Sequence, residues 1–221
     1  MRENAKRFLI SGIIFIAAFA LWTMLIQLID VQPLGPNGTY IGFAEFNFWF
    51  HKWTGVHMKM YTITDWLGLV PAFICIIFGG VGFVQLFKRR SLFKVERDLI
   101  ILGIYYVIVI LAYINFEIHP INYRPILIEG LMEASYPSST VLLVLSVMTA
   151  LIEQVNRRVK NAEAKRIIGF LAVSFSVFMV IGRLISGVHW FTDILGAALL
   201  SAGLFFIYKA VVILCLKKES E

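Results

Sequence analysis

Six uncharged apolar runs, each near the length of a membrane-crossing helix, dominate this chain: Phe8–Ile29, Trp66–Phe87, Leu99–Phe116, Ala134–Ile152, Ile167–Gly182 and Ile194–Tyr208. A helix needs about 20 apolar residues to cross the hydrocarbon core. The first run is 22 residues long, and the fifth and sixth reach that length by drawing on flanking residues. Composition agrees: 59% of the chain is hydrophobic and the mean hydropathy is +0.81, where a soluble domain is about half apolar. The expected fold is all-α, a polytopic membrane helix bundle of six transmembrane helices forming one integral membrane domain over residues 1–221.

Charge orients the bundle. Arg2, Lys6 and Arg7 precede the first run. Lys88, Arg89, Arg90, Lys94 and Arg97 join the second to the third. Arg157, Arg158, Lys160, Lys165 and Arg166 join the fourth to the fifth, and Lys217 and Lys218 follow the sixth. In a six-helix arrangement all of these fall on one side, leaving Lys52, Lys59 and Arg124 in the opposite loops. The positive-inside rule places both termini in the cytoplasm. It also accounts for the net charge of +6, so no nucleic-acid partner is inferred. Ala18-Phe19-Ala20 resembles a signal-peptide cleavage site, but the apolar run continues well past it, which favours a retained helix. Cys75 and Cys215 lie in different apolar runs and read as packing residues, with no disulfide or metal framework.

The loops on the outer side are unequal. Residues 30–65 open with turn signals (Pro33, Gly35, Pro36-Asn37-Gly38) and then become aromatic, with Phe43, Phe46, Phe48, Trp49, Phe50 and Trp53. This is the composition of an interfacial, amphipathic segment. His51 and His57 within it read as interfacial residues rather than metal ligands. Residues 117–137 form a second outer loop, rich in ionisable groups: Glu117, His119, Arg124, Glu129 and Glu133. Glu129 and Glu133 read as solvated loop charges.

Several polar residues need a reason. Arg183 closes the fifth run, and His189 and Asp193 open the sixth. Ionisable groups at such depths usually face a bundle interior or a cavity. His189 and Asp193 are four apart and share a helix face, where a carboxylate can hold an imidazole in one tautomer. The topology brings Arg124, Pro137–Thr140, Arg183, His189 and Asp193 to one depth at the outer membrane face. Pro137–Thr140 opens the fourth helix, whose free N–H groups and positive dipole end favour an anion. Two arginines, a helix N-terminus and a His–Asp pair suggest phosphate chemistry.

The chain resembles the type-2 phosphatidic acid phosphatase family, relatives of the vanadium haloperoxidases. That family carries the signatures KxxxxxxRP, PSGH and SRxxxxxHxxxD. The third is met by Gly182-Arg183 followed by His189 and Asp193, with only the leading Ser replaced. The first retains Arg124-Pro125, with Glu117 where Lys is expected. The second reads Pro137-Ser138-Ser139-Thr140, with Thr140 where His is expected. The resemblance implies that His189 attacks phosphorus and becomes phosphohistidine, with Asp193 as its orienting partner. It implies that Arg124 and Arg183 clamp phosphate oxygens, while Ser138, Ser139, Thr140 and nearby N–H groups complete the cradle. No cofactor and no metal are implied.

Thr140 cannot protonate a leaving alcohol at neutral pH. A diphosphate ester, whose leaving group is already acidic, needs that proton least, which favours a polyprenyl-diphosphate-like substrate. His119 and Tyr136 are the candidate substitute donors. Glu117 would repel phosphate; it could pair with an arginine, contact a cationic headgroup or point elsewhere, leaving Lys59 to supply positive charge. The expected function is a membrane lipid phosphatase working on the extracytoplasmic side of a bacterial plasma membrane, with a membrane lipid and the bilayer as partners. The alternatives are a catalytically impaired relative that binds lipid phosphate headgroups, and a lipid phosphotransferase. No inverted repeat supports a transporter.

Overall fold

The structure, a computed structural model, describes residues 2–217; Lys218, counted above with the basic residues, lies outside the described residues. Among the described residues the regular structure is α1 (Arg2–Leu28), α2 (Ala44–Thr54), α3 (Met58–Leu67), α4 (Leu69–Arg89), α5 (Arg97–Ile118), α6 (Ser139–Arg158), α7 (Ala162–Ile185) and α8 (Phe191–Lys217), with two short 3₁₀ turns and only isolated β-bridges. Six helical stretches are long and apolar enough to cross a membrane, α3 and α4 together making one of them over Met58–Arg89. The all-α, six-span architecture is borne out.

Two span boundaries differ from the sequence expectation. The fourth helix starts at Ser139, not Ala134. Pro137 lacks an N–H to donate, and the Ser135 N–H is committed to the Asn122 carbonyl at 2.9 Å, so residues 134–138 belong to a loop. The second span starts eight residues early, at Met58. Thr62 and Thr64 return their hydroxyls to the carbonyls of Met58 and Met60, at 3.0 and 2.9 Å. Polar side chains satisfied on their own helix do not end it. The junction at Gly68 is explained by Pro71, which cannot donate to the Leu67 carbonyl one turn earlier.

α6 is the central helix, packing on α4, α5, α7 and α8. Its best span window has the lowest hydropathy of the six, 1.5, yet is the most buried, at 56%. A helix that faces protein rather than lipid can carry Ser146, Gln154 and Glu153, all buried. α1 lies antiparallel along α8, with Phe8 and Phe15 both against Phe206 at 6.0 and 5.6 Å between ring centroids and Trp22 donating to the Thr192 carbonyl. The start of α1 and the end of α8 thus sit at one end of the bundle.

That end is held by ion pairs. Arg158 bridges Glu96 and Asp98, each at 2.7 Å, and Glu153 takes Arg157 at 2.8 Å and Lys209 at 3.1 Å. The opposite end carries α2. Its inner face places buried Asn47 against Thr192, donating to the hydroxyl at 3.0 Å. Its outer face exposes Phe46, Phe48, Trp49 and Trp53.

Candidate active site

Three connections meet at the end of the bundle away from the start of α1. The loop between α5 and α6 doubles back on itself: the Arg124 N–H donates to the Glu133 carbonyl at 3.1 Å and the Ser135 N–H to the Asn122 carbonyl. Extended residues two apart share a face. Asn122, Arg124, Glu133 and Ser135 accordingly turn toward the start of α8.

His189 lies in the turn between α7 and α8. Gly187 there has φ +71°, and a Cβ at this position would lie 2.2 Å from the Gly55 carbonyl oxygen. Only glycine allows both the left-handed backbone and this approach. The α2–α3 junction clamps the turn: the His57 N–H donates to the Ser186 carbonyl at 3.0 Å, and the His51 Nε2 lies 3.0 Å from the Gly187 carbonyl. Asp193, in the first turn of α8, accepts the Trp190 N–H at 2.9 Å, reaching back as the acidic half of a capping box does. Its carboxylate also accepts from Asn122 Nδ2 at 3.2 Å and from the Ser135 hydroxyl at 2.5 Å. The Ser135 oxygen is 3.0 Å from His189 Nδ1. The direct His189 Nδ1 to Asp193 Oδ2 separation is 3.9 Å, too long for a hydrogen bond.

Above this cluster is a cavity of about 610 Å³, walled by Tyr61, Asp65, Tyr113, Glu117, Tyr123, Arg124, Glu133, Ser139, Thr140 and Arg183, among others. Arg124 pairs with Glu133 at 3.0 Å and Arg183 approaches Asp65 at 3.6 Å. Both guanidinium groups lie over the Tyr61 ring, at 5.8 and 5.1 Å from its centroid. Several polar atoms here are buried without a hydrogen-bond partner: Arg124 Nε and Nη1, Arg183 Nε, Ser138 Oγ and His189 Nε2. Buried donors are rarely left unpaired in a folded protein, because each costs about 1–3 kcal/mol. Guanidinium N–H groups that the protein does not satisfy are suited to an anionic ligand.

The sequence-selected residues divide by location. Arg124, Arg183, Ser139, Thr140 and Glu117 stand on the cavity wall. His189 and Asp193 are buried outside that wall. Ser138 is buried too, and its N–H donates to the Asp193 carbonyl at 3.2 Å, so this N–H is not free for a ligand. Tyr136 faces α1, with its hydroxyl 2.7 Å from Thr23 Oγ1 and its ring stacked on Phe19. His119 and Lys59 are exposed and off the cavity wall. Glu133, expected to be a solvated loop charge, is the partner of Arg124.

Sequence reasoning missed Ser135, Asn122, Tyr61, Asp65 and Glu133. The alternations Asn122-x-Arg124 and Glu133-x-Ser135 were the available signal, legible only once the two segments are known to pair.

The imidazole of His189 is held well below the ordinary histidine range, first by burial and then by the charges of Arg183 and Arg124, with a hydrogen bond to the Ser135 backbone acting the other way. Its neutral, nucleophilic form therefore persists to lower pH than that of a solvated histidine.

Gly182, where the third signature has Ser, has a local cause. A Cβ at this position would lie 2.7 Å from Thr64 Cγ2, so α3 packs directly on α7. Gly182→Ser is expected to push α3 outward and lower stability by about 1–3 kcal/mol, the usual cost of overpacking. Thermal unfolding in detergent measures this. An unchanged midpoint would show that α3 yields freely.

Fold and site together define a polytopic membrane helix bundle with an arginine-lined pocket over a buried His–Asp pair. Residues 112–215 match the family model described as the PAP2 superfamily, and the resemblance read from the signatures is borne out. Among solved structures, the chain is similar to the first transmembrane PAP2-type phosphatidylglycerolphosphate phosphatase from Bacillus subtilis. The TM-score is 0.65 at 16% identity, over 91% of this chain and 95% of that one. No curated protein compared with the chain matches it.

Proposed function

We propose that the protein is a membrane lipid phosphatase that hydrolyses a lipid phosphate or diphosphate through His189. The observation that carries this reading is a set of buried, unpartnered polar atoms, guanidinium N–H groups on Arg124 and Arg183 and the imidazole Nε2 of His189, with both arginine charges acting on that imidazole. Binding draws the guanidinium groups onto phosphate oxygens. The Nε2 lone pair then attacks phosphorus, a P–N bond forms, and the P–O bond to the leaving group breaks. Water next attacks phosphorus, the P–N bond breaks, and phosphate leaves. Asp193 acts on the imidazole across the Ser135 hydroxyl, and Ser139 and Thr140 border the phosphate.

An apolar groove of about 530 Å³ supports a lipid substrate. Leu69, Ala72, Ile76, Val109, Ile110 and Leu143 line it, and it meets the polar cavity at Asp65, Tyr113, Ser139 and Thr140. A lipid enters sideways between the helices with its headgroup at the arginines. The distribution of basic residues supports a site on the extracytoplasmic face of the membrane, with residues 30–65 at the interface. The name of the Bacillus subtilis neighbour, a phosphatase of a lipid phosphate, agrees in substrate class.

Phosphate release by purified protein from polyprenyl diphosphate, phosphatidic acid, phosphatidylglycerophosphate and a soluble diphosphate tests the proposal; no release from any of them by folded protein overturns it. Asp65, Glu117 and Glu133 on the same wall favour one competing reading, a binder of lipid phosphate headgroups without turnover. Headgroup binding without release would select it, and a new lipid ester formed with an added alcohol would select a phosphotransferase.

Thr140 directs the substrate preference. General acids contribute about 10²–10⁴-fold, and a phosphate leaving group needs that help least, so a polyprenyl-diphosphate-like substrate is favoured. Thr140→His should raise monoester hydrolysis relative to diphosphate hydrolysis by at least tenfold, measured as the ratio of kcat/KM values. An unchanged ratio removes the basis of the preference.

A further inference from the structure

Asp193 cannot orient His189 by itself, because 3.9 Å separates Nδ1 from Oδ2. The gap is filled by Ser135 Oγ, at 3.0 Å from the nitrogen and 2.5 Å from the oxygen. We propose that Ser135 is the positioning residue of the nucleophile: its hydroxyl joins His189 to Asp193 and fixes the tautomer that leaves Nε2 unprotonated. This rests on the reading of His189 as nucleophile given above.

The number of available hydrogens fixes the direction of this hydrogen-bond chain. A serine hydroxyl has one hydrogen and two lone pairs, and an ionised carboxylate accepts only. Asp193 Oδ2 therefore takes the Ser135 hydrogen. Ser135 Oγ then has only lone pairs to offer His189, so Nδ1 must carry a hydrogen and donate it. A neutral imidazole has a single N–H, so Nε2 holds the free lone pair. The direction of the chain depends on Asp193 being fixed as an acceptor. Asn122 Nδ2 and the Trp190 N–H favour this, since both donate to the same carboxylate and so stabilise its ionised form.

Ser135 is itself held rigidly. Its N–H is bonded to the Asn122 carbonyl, so the residue that orients Asp193 also orients Ser135. The side chain is buried at 2% exposure, so bulk water does not compete for the two short contacts. The His189 Nε2 is buried with no partner of its own, as a nitrogen kept for an incoming phosphorus must be. Attack from Nε2 places positive charge on the ring, and the hydrogen bonds from Nδ1 through Ser135 to Asp193 stabilise that charge without any bond being broken.

The test compares wild type with Ser135→Ala and Ser135→Thr. Ring ¹⁵N shifts of histidine-labelled protein in detergent, assigned with His189→Gln, read the tautomer directly and do not require turnover. Wild type and Ser135→Thr should show Nδ1 protonated and Nε2 bare, and Ser135→Ala should lose this preference. In the phosphate-release assay Ser135→Ala should lose about 10²-fold or more in kcat with KM within about twofold, and Ser135→Thr should recover most of the loss.

Wild type with Nε2 protonated, or Ser135→Ala with an unchanged tautomer, would overturn the proposal. So would full kcat in Ser135→Ala, or a loss confined to KM. A protein that shows the expected shifts but releases no phosphate would refute the phosphatase reading and leave the positioning role standing.

Discussion

His189→Ala should reduce phosphate release by about 10³-fold or more, the scale expected when a covalent nucleophile is removed. The side chain is 1% exposed and flanked by two arginines, so no neighbouring nucleophile replaces it. The matching observation in the wild type is a base-stable, acid-labile phosphoprotein, trapped during turnover and absent from the variant. Release by His189→Ala within about threefold of wild type would exclude a phosphohistidine pathway. The pH dependence adds a second check. Neutral imidazole is the reactive form, and the folded protein holds its pKa well below the ordinary 6.5. The acid limb of kcat/KM should therefore fall below pH 6.5, with activity lost only as pH drops through the depressed value. A limb centred at or above 6.5 would assign it to another group.

Arg183→Ala should lower kcat/KM by about 10²–10³-fold, corresponding to about 3–4 kcal/mol of transition-state stabilisation. Arg183 is almost wholly buried, yet its polar contacts are weak, Thr64 at 3.5 Å and Asp65 at 3.6 Å with Nε unpartnered, beside the face of the Tyr61 ring. A buried cation held so loosely is poorly explained as structural glue. The fold should survive its removal, because Asp65 is 57% exposed on its side chain and water can solvate it once the arginine is gone. Arg183→Lys keeps the charge and loses the bidentate fork, so its activity should fall between the two. Inorganic phosphate binding should weaken in parallel. Wild-type kcat/KM in folded Arg183→Ala would remove Arg183 from the phosphate site.

The carboxylates near the arginines give the pocket a character that a plain anion site lacks. Glu133 and Asp65 occupy one edge of each guanidinium and leave other N–H groups unpaired. Pairing of this kind lets two like charges stand together in a partly buried space. It also means that an incoming phosphate competes with the protein's own carboxylates, which makes weak binding of a simple monoanion the natural consequence.

The order of the polar motifs and the six apolar runs were legible in the chain, because burial in lipid and a fixed spacing both act on nearby residues. Spans are set by runs of side chains that avoid water. His189 and Asp193 stay close because they are four apart in sequence, although His189 lies in the turn before α8 rather than on a shared helix face as the spacing suggested. Arg183 and Thr140 reach the cavity wall because each lies near the end of a helix whose length the hydrocarbon core dictates.

What only the tertiary structure decided is how those ends touch. Ser135 stands between His189 and Asp193 because the loop from residue 119 to 138 folds back and pairs Asn122 with Ser135, a contact between segments that no local pattern specifies. Tyr136, the next residue, turns the opposite way onto Phe19 and Thr23, since successive extended residues face opposite sides. Gly182 replaces a serine because α3 comes within van der Waals contact of α7, a helix more than one hundred residues away in sequence. Local chemistry fixed which residues reach this end of the bundle; long-range packing fixed which of them meet.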